Sequence, residues 1–563
     1  MDRIDDVSLQ AAATRWIAGD PDPATQATLQ AALAGHDMVE LRAAMERPIQ
    51  FGTAGLRAAV GPGAARMNRA VVLRTTWALV AHLRATADPD LPVCVGFDAR
   101  PDSARFAADV VDVLTAAGRR VIGWDTPTPT PLVAWAARET GAAAAVVITA
   151  SHNPPADNGY KLYAGDAIQI VSPTDSTMAA LIESAPPATE VERSSEGWEH
   201  ELVEGLGPYA RRRYLDQVVE LIDHPGDRGD VRVVHTSLHG VGGTIMVEAF
   251  ARAGTDDVRV VPEQHDPDGS FPTVPFPNPE EPGALDLAFD LARRTSADLV
   301  IANDPDTDRL AVAVEDVEGW RRLSGNEVAV LLADDLLRRA PDRSLVTTSV
   351  VTSPWVAAVA VRHGARAEQT LTGFKWIWHA AHRLAADGWT PVLGAEEALG
   401  YSVGSMVRDK DGIAAAVVFV DLARRLAAQG ETVLDRLAEL RAQDGSWVAA
   451  QVSVVRDGPD GPAEIADAMA RARTAPPSSL MGHTVRAVVD YSVDVDSRPP
   501  WLGETDLIEL QLDNGRVLIR PSGTEPKCKA YVDFRALPGS DPVVVRAEAV
   551  ALGRSMLAHV GLH

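Results

Sequence analysis

The densest chemistry in this chain is Asn303-Asp304-Pro305-Asp306-Thr307-Asp308-Arg309, with aspartates at alternate positions. Carboxylates so spaced on a non-helical loop can converge on one cation, and hard oxygen donors suit Mg2+. Without a cation they would repel one another. The nearest rival is a calcium loop of the EF-hand kind, because Asp304, Asp306, Asp308 and Glu315 fall at its first, third, fifth and twelfth positions. Arg309 occupies the sixth position, where that loop needs glycine, and the flanks 299–302 and 310–314 are apolar, strand-like runs. A second constellation is Thr149-Ala150-Ser151-His152-Asn153-Pro154-Pro155-Ala156-Asp157-Asn158-Gly159-Tyr160-Lys161. A free hydroxyl is a weak nucleophile and needs a base, a metal or a prior modification. Ser151 has His152 beside it and Lys161 across the turn, but alone the stretch reads as a polar turn with a surface serine.

Five further stretches carry candidate binding groups. In Phe51-Gly52-Thr53-Ala54-Gly55-Leu56-Arg57 two glycines bracket a tight loop, and Arg57 either reaches a phosphate with its forked donors or is simply solvated. Thr370-Leu371-Thr372-Gly373-Phe374-Lys375 is a turn that presents Lys375. Glu396 and Glu397, on a glycine-flanked loop, either accept sugar hydroxyls or form an exposed acidic turn. Arg408 and Lys410, in Arg408-Asp409-Lys410-Asp411-Gly412, add local positive charge. Near the C-terminus, Arg520-Pro521-Ser522-Gly523-Thr524-Glu525-Pro526-Lys527 offers an arginine, two hydroxyls and backbone N–H groups around a glycine, either a phosphate nest or a strand-to-turn connection.

The elements that must position these groups alternate between strands and helices. Residues 142–148 form an apolar run ending in β-branched residues, which predicts a buried strand of a parallel sheet, stopped by Pro154-Pro155. Ser151 then lies beyond the carboxyl end of a strand, where open α/β sheets bind ligands. Asn158-Gly159 signals a turn, and 160–163 a second short strand. Upstream, strands 92–97 and 121–124 alternate with helices 68–85, 102–117 and 132–140, after one or two helices in 7–47. Further on come helix 209–222, strand 231–236 and the turn Gly240-Val241-Gly242-Gly243, which matches no nucleotide fingerprint and is expected to serve close packing. The proline-rich segment 263–283, helix 284–294 and strand 297–302 follow. Gly325-Asn326-Glu327 is read as the cap of a helix to residue 337, followed by strand 345–350 and by helices in 413–443. The last part has strands 447–455, 485–495 and 507–512, and a hairpin turn at Asp513-Asn514-Gly515-Arg516. This pattern predicts an α/β fold with domains at 1–207, 208–323, 324–443 and 444–563.

Composition narrows the class. At 563 residues the chain needs several cores, and 46% hydrophobic with 23% charged residues is ordinary for a soluble globular protein. A formal net charge of −25 disfavours nucleic acid partners. Cys94 and Cys528, the two cysteines, make no disulfide framework. No apolar run reaches membrane-spanning length and the N-terminus lacks signal-peptide character, so a cytoplasmic protein without membrane contact is expected. No heptads are visible, so the oligomeric state stays open, and a monomer or weak homodimer is the expectation.

The serine, aspartate, glutamate and C-terminal arginine stretches, in that order, resemble the α-D-phosphohexomutases, the phosphoglucomutase and phosphomannomutase family. The likeness is strongest to the branch containing phosphoglucomutase-2 and its bacterial relatives. It implies three similar α/β domains with mixed, mostly parallel sheets and a smaller α+β fourth domain around a central cleft. It implies that Ser151 is carried as a phosphoserine, and that its phosphate and Asp304, Asp306 and Asp308 share one Mg2+. By the same likeness Arg57 and Arg309 lie near phosphate, Glu396 binds the sugar, and Arg520, Ser522, Gly523 and Thr524 hold the non-reacting phosphate. His152, Lys161 and Lys375 are candidates for proton transfer or phosphate contact, and Thr372, Gly373, Glu397, Arg408 and Lys410 for substrate binding. The implied reaction interconverts sugar 1- and 6-phosphates, glucose first, through a sugar bisphosphate such as glucose 1,6-bisphosphate. Many members have serine two residues after the glutamate where this chain has Ala398, which leaves mannose and pentose phosphates open. A glucose-1,6-bisphosphate synthase, a metal-dependent phosphatase and a catalytically silent binding protein are the rival readings.

Overall fold

A computed structural model describes residues 4–52, 55–222, 226–456, 458, 460–522, 527–536, 540 and 542–563. The chain divides into two compact units, Met1–Arg322 with Gly400–Arg425, and Leu323–Leu399 with Leu426–His563.

The first unit begins with three helices, Asp6–Gly19, Pro23–Ala34 and Met38–Met45, one more than the composition of 7–47 suggested. Asp5, Asp22 and Asp37 each accept a backbone N–H at the start of one helix, and Pro23 sits in the first turn of the second. The third helix is a separate element because Asp37 restarts the chain as an N-cap after His36 adopts φ 52°. The first α/β layer follows as a six-stranded sheet. Its order is Leu56–Ala59, Asp157–Tyr163, Ala144–Ile148, Val93–Phe97, Val121–Gly123, Val203–Gly205. Residues 172–205 supply the helix Thr174–Ser184 and that last edge strand.

Ala144–Ile148 is buried along its whole length, as its composition predicts. It runs parallel to Val93–Phe97 on one side but antiparallel to Asp157–Tyr163 on the other, so the sheet is mixed. Asn158-Gly159 is not a turn. Both residues lie inside the strand Asp157–Tyr163, and the reversal occurs at 151–156. Glycine is there for space: a Cβ on Gly159 would lie 2.5 Å from the Thr149 carbonyl oxygen and 2.6 Å from that of Leu56.

A five-stranded sheet continues the unit in the order Gly319–Arg322, Ala311–Asp316, Leu299–Ala302, Val233–Thr236, Val258–Val260. Within the second unit, strand Ser344–Ser349 pairs parallel with both Arg366–Thr370 and Thr390–Glu396. Ser324, not Gly325, is the N-cap of helix Gly325–Leu337, in a capping box with Glu327. Gly325 has a different task, since a Cβ there would fall 2.0 Å from the Glu397 carbonyl oxygen. The remaining layer is a sheet ordered Ser446–Val455, Lys527–Ala536, Gly515–Pro521, Ile508–Leu512, His483–Asp490, Ser479–Leu480, packed against helices Gly461–Thr474 and Pro542–His559. Leu512 pairs with Gly515, so Asp513 and Asn514 make the expected two-residue hairpin.

The three α/β layers share one topology. In each, three successive strands pair in parallel with the first of the three at the centre, flanked by the second and the third: Val93–Phe97, Val233–Thr236 and Ser344–Ser349 are the three centres. Ser151 follows the third strand of the first layer, Asp304 follows the third strand of the second, and Glu396 ends the third strand of the third. The three chemical loops are therefore topological equivalents, although no internal repeat is visible in their residues.

Candidate active site

Asp304, Asp306, Asp308 and Thr307 are fully buried, and one carboxylate oxygen from each aspartate lies within 4.8 Å of the others. The loop is braced from below. A Cβ on Gly240 would be 2.5 Å from Pro305 Cα, and one on Gly242 would be 2.7 Å from the Thr307 side chain. Close packing is thus the role of the glycine-rich turn. Val241 also donates its N–H to the Pro305 carbonyl at 2.9 Å. Thr130, at the start of helix Thr130–Glu139, donates from Oγ1 to Asp306 Oδ2 at 2.7 Å and from its N–H to the Asp306 carbonyl at 3.0 Å.

Lys161 is fully buried and donates to Asp306 Oδ2 at 2.6 Å and Asp308 Oδ2 at 2.7 Å. Burial works against its charge, but the two carboxylates win and raise its pKa. Lys410 Nζ stands 3.1 Å from Asp308 Oδ2. Burial opposes ionisation of Asp308, yet Lys161, Lys410 and Arg309 hold its pKa below the ordinary value. Asp306 is lowered too, against burial and the Asp308 charge, with Lys161 responsible. Asp304 goes the other way: burial and the charges of Asp306 and Asp308 raise its pKa well above the carboxylate range.

Ser151 is buried at 1% exposure and Oγ donates to Asp304 Oδ2 at 2.7 Å, which brings the two decisive loops together. His152 Nδ1 lies 3.2 Å from the same Oγ, and its Nε2 lies 3.3 Å from Arg309 Nη2. A guanidinium only donates, so Nε2 accepts and Nδ1 carries the proton toward Ser151. Burial, then the charges of Arg309 and Arg57, push the His152 pKa well below its ordinary value, so the ring is neutral. Arg57 is half-buried, its Nε has no partner among the described residues, and burial lowers its pKa against the pull of Asp306 and Asp308. Arg408 does not join this cluster. It donates to the Asp166 carbonyl at 2.8 Å, and burial and then Arg138 lower its pKa.

The second unit holds its own cluster. Glu396 accepts the Gly373 N–H at 2.7 Å, and Gly373 has φ 116°, a conformation that favours glycine. Arg520 Nη1 donates to Thr372 Oγ1 at 2.6 Å. Glu397 accepts from Ser349 Oγ at 3.1 Å, and burial beside the Glu396 charge pushes its pKa up to about 7. Lys375 stands in the first turn of helix Phe374–Ala386. Ser522 donates its N–H to the Lys527 carbonyl at 2.7 Å, whereas Gly523 and Thr524 lie outside the described residues.

Models of the phosphoglucomutase/phosphomannomutase domains match in order. The alpha/beta/alpha domain I covers residues 48–188, domain II 212–319 and domain III 324–452, and the C-terminal domain covers 451–535. A probable phosphomannomutase of Haemophilus influenzae is 39% identical over 486 residues, covering 84% of this chain and 94% of its own. The chain belongs to the phosphoglucomutase/phosphomannomutase family. Within it, a phosphopentomutase of Homo sapiens is 33% identical across 99% of this chain and 96% of its own. A glucose 1,6-bisphosphate synthase of Homo sapiens is 32% identical across 96% of this chain and 93% of its own. The crystal structure of a putative phosphomannomutase from Thermus thermophilus shares the fold, with TM-score 0.68 at 22% identity, covering 91% of this chain and 99% of that one.

The donor set of this phosphoglucomutase/phosphomannomutase family member fits a hard divalent cation. Asp306 Oδ1 and Asp308 Oδ1 are buried and have no hydrogen-bond partner among the described residues, while their Oδ2 atoms are engaged by protein cations. Several groups around the site escaped the sequence reading: Thr130, Asp98, Arg100, and His235, whose Nε2 donates to Asn303 Oδ1 at 3.0 Å. The one available signal was Asp98-Ala99-Arg100 at the carboxyl end of strand Val93–Phe97, the same kind of position that singled out Ser151.

Proposed function

We propose that this phosphosugar mutase of the phosphohexomutase type interconverts hexose 1- and 6-phosphates, glucose first, with Ser151 as the phosphoryl carrier. The observation that carries this reading is the contact of Ser151 Oγ with Asp304 Oδ2 at 2.7 Å, which sets a hydroxyl against a buried carboxylate triad. Phosphoserine151 gives its phosphoryl group to the free hydroxyl of a sugar monophosphate: the bond from phosphorus to Oγ breaks as the bond to the sugar oxygen forms. The resulting bisphosphate returns its other phosphoryl group to Ser151 Oγ, so phosphate and protons balance over the cycle.

Positioning and charge do this chemistry. Mg2+, when bound by Asp304, Asp306, Asp308 and the serine-borne phosphate, supplies the neutralising positive charge. Arg57 and Arg309 place guanidinium donors toward the phosphoryl group, and Lys161 balances the carboxylates as a fixed cation. His152, kept neutral by burial, retains a proton-transfer role, and full activity in His152→Gln would remove that assignment. In the second unit, Glu396, Thr372 and Arg520 recognise the phosphosugar, with Ser522, Gly523 and Thr524 completing the phosphate loop. The domain division at 207, 323 and 443 belongs to the same reading, and limited proteolysis cutting elsewhere would move it.

A second reading has a specific support. The human phosphopentomutase relative spans nearly the whole chain, and Ala398 removes a hydroxyl beside Glu396, so pentose 1- and 5-phosphates are the alternative substrates. One assay separates these: purified protein with Mg2+ and a trace of glucose 1,6-bisphosphate, given glucose 1-phosphate, mannose 1-phosphate or ribose 1-phosphate. Conversion of one sugar, abolished in Ser151→Ala, supports the carrier role and ranks the sugars. Release of inorganic phosphate would point to a phosphatase. Net accumulation of bisphosphate from an added phosphoryl donor would point to the synthase reading that the human relative brings in.

A further inference from the structure

Ser151 holds a backbone conformation that serine rarely adopts, with φ 52°, and something must keep it there. Two groups do so, and both come from the turn after strand Val93–Phe97. Arg100 is buried, its side chain 1% exposed. Its Nη2 donates to the carbonyls of Ser151 at 2.8 Å and Asn153 at 2.6 Å. Its Nη1 donates to those of Pro154 at 2.6 Å and Asp157 at 2.8 Å, and its Nε to Asp98 Oδ2 at 3.2 Å. A guanidinium has five N–H donors, and here each has an acceptor, four of them carbonyls of the serine loop. The amide side of Ser151 is fixed from the same turn. Its N–H donates to Thr149 Oγ1 at 2.8 Å, and Thr149 Oγ1 donates to Asp98 Oδ2 at 2.7 Å. Asp98 is itself held by Ser103 Oγ at 2.6 Å.

The proline-rich segment of the second layer seals this clamp. Phe271 presents its ring to the Arg100 guanidinium at 5.2 Å, and Gly269 packs so tightly that a Cβ would be 2.5 Å from Arg100 Cα. None of the five Arg100 bonds reaches Ser151 Oγ, Asp304, Asp306 or Asp308, so its hold on Ser151 passes through the loop backbone.

We propose that Arg100, anchored by Asp98, is the positioning residue that aims Ser151 Oγ for phosphoryl transfer, and that Phe271 and Gly269 hold the clamp closed. This rests on the assignment of Ser151 as the carrier. Lysine cannot replace Arg100, because a single ammonium offers three donors from one point and cannot span four carbonyls along seven residues of loop. A misaimed nucleophile slows transfer without touching the groups that bind the sugar, and a displacement of an ångström costs on the order of a hundredfold.

The test uses the full chain with Mg2+ and the sugar phosphate that the mutase assay selects. Arg100→Lys is expected to lower kcat by about a hundredfold while KM stays within about twofold. The rate at which Ser151 acquires phosphate from the sugar bisphosphate, read by mass spectrometry, should fall in parallel. Thr149→Val keeps the side-chain volume and the clamp but frees the Ser151 amide, and should show the same split to a smaller extent. In Arg100→Ala, added methylguanidinium should recover part of the lost kcat, which a purely structural defect would not show. Ser151→Ala run alongside keeps the two claims apart: if it stays active, the carrier assignment fails. If Ser151→Ala is inactive while Arg100→Lys turns over at the parental rate, the clamp alone is overturned. The clamp is also overturned by a matching rise in KM. Should Arg100→Lys fail to fold, a parental kcat in Thr149→Val together with no guanidinium rescue overturns it equally.

Discussion

Replacing Lys161 by Met isolates the charge that Lys161 contributes. The two side chains are of similar length, so packing is nearly retained and the lost quantity is one ammonium. That ammonium lies 2.6 Å from Asp306 Oδ2 and 2.7 Å from Asp308 Oδ2, with all three side chains at 0% exposure. Deleting one partner of a buried pair costs roughly 3–5 kcal/mol, because the other charge is stranded in a poorly polarisable interior. Lys410, 3.1 Å from Asp308 Oδ2, still offsets part of the residue left behind, so the lower end, about 3 kcal/mol, is the expectation. The sign with pH follows from the lowered pKa values of Asp306 and Asp308. Their stabilisation is present above the unfolded carboxylate value of about 3.9 and is lost as pH falls. In the variant these carboxylates protonate more readily, so parent and variant converge on acidification. Added Mg2+ should also narrow the gap, since it replaces positive charge and favours the folded state by mass action. A chain of several domains does not unfold in two states, so the assay is amide hydrogen exchange of strand Asp157–Tyr163, supported by urea unfolding. A difference under about 1 kcal/mol near neutral pH, or one that persists in acid, would refute the charge argument.

Three further outcomes are expected. Burial pushes the His235 pKa down from 6.5 to about 4, so the parent should lose stability as pH falls through that window, by up to about 1.4 kcal/mol per pH unit. His235→Gln, which can still donate to Asn303, should flatten the slope; identical slopes in pH-dependent unfolding would show that His235 is not responsible. Burial and the Glu396 charge raise the Glu397 pKa from 4.5 to about 7, so the opposite sign applies: stability from this group is full below 4.5 and is lost as pH rises through about 7. Glu397→Gln should remove that decline, and an unchanged alkaline limb would count against it. Gly240→Ala drives a methyl to 2.5 Å from Pro305 Cα, and should cost about 1–3 kcal/mol and weaken Mg2+ binding measured by calorimetry. Parental Mg2+ affinity in this variant would mean that the turn does not brace the aspartate loop.

Particular residues show how far the sequence reaches. The run 142–148 was legible as a buried strand because composition and length both follow from burial on two faces. Gly159 was misread as a turn residue: its glycine answers to two neighbouring backbones, and crowding from elsewhere in the chain has no local signature. The Gly240–Gly243 turn was rightly assigned to packing, but not what it packs against. Arg408 lies in the same short stretch as Lys410, yet only Lys410 faces the aspartates. The shared strand order of the three α/β layers left no repeat in the residues, because a topology constrains hydrophobic pattern far more weakly than it constrains connections.

Residue types and their spacing carry the chemical inventory: a serine loop, an aspartate triad, a glutamate loop and an arginine loop, in the order of one family, at loops between strands and helices. Local chemistry is enough for that, since residue type and spacing decide what a loop can bind. Folding alone brings Ser151 to Asp304 across 153 positions, shares Lys161 between two aspartates, and sets Arg100 against the serine loop. The physical reason is plainest at Arg100. Its partners in the loop are backbone carbonyls, which every residue carries, so no side-chain identity can announce them. They become acceptors for one guanidinium only once the chain has folded them to within its reach.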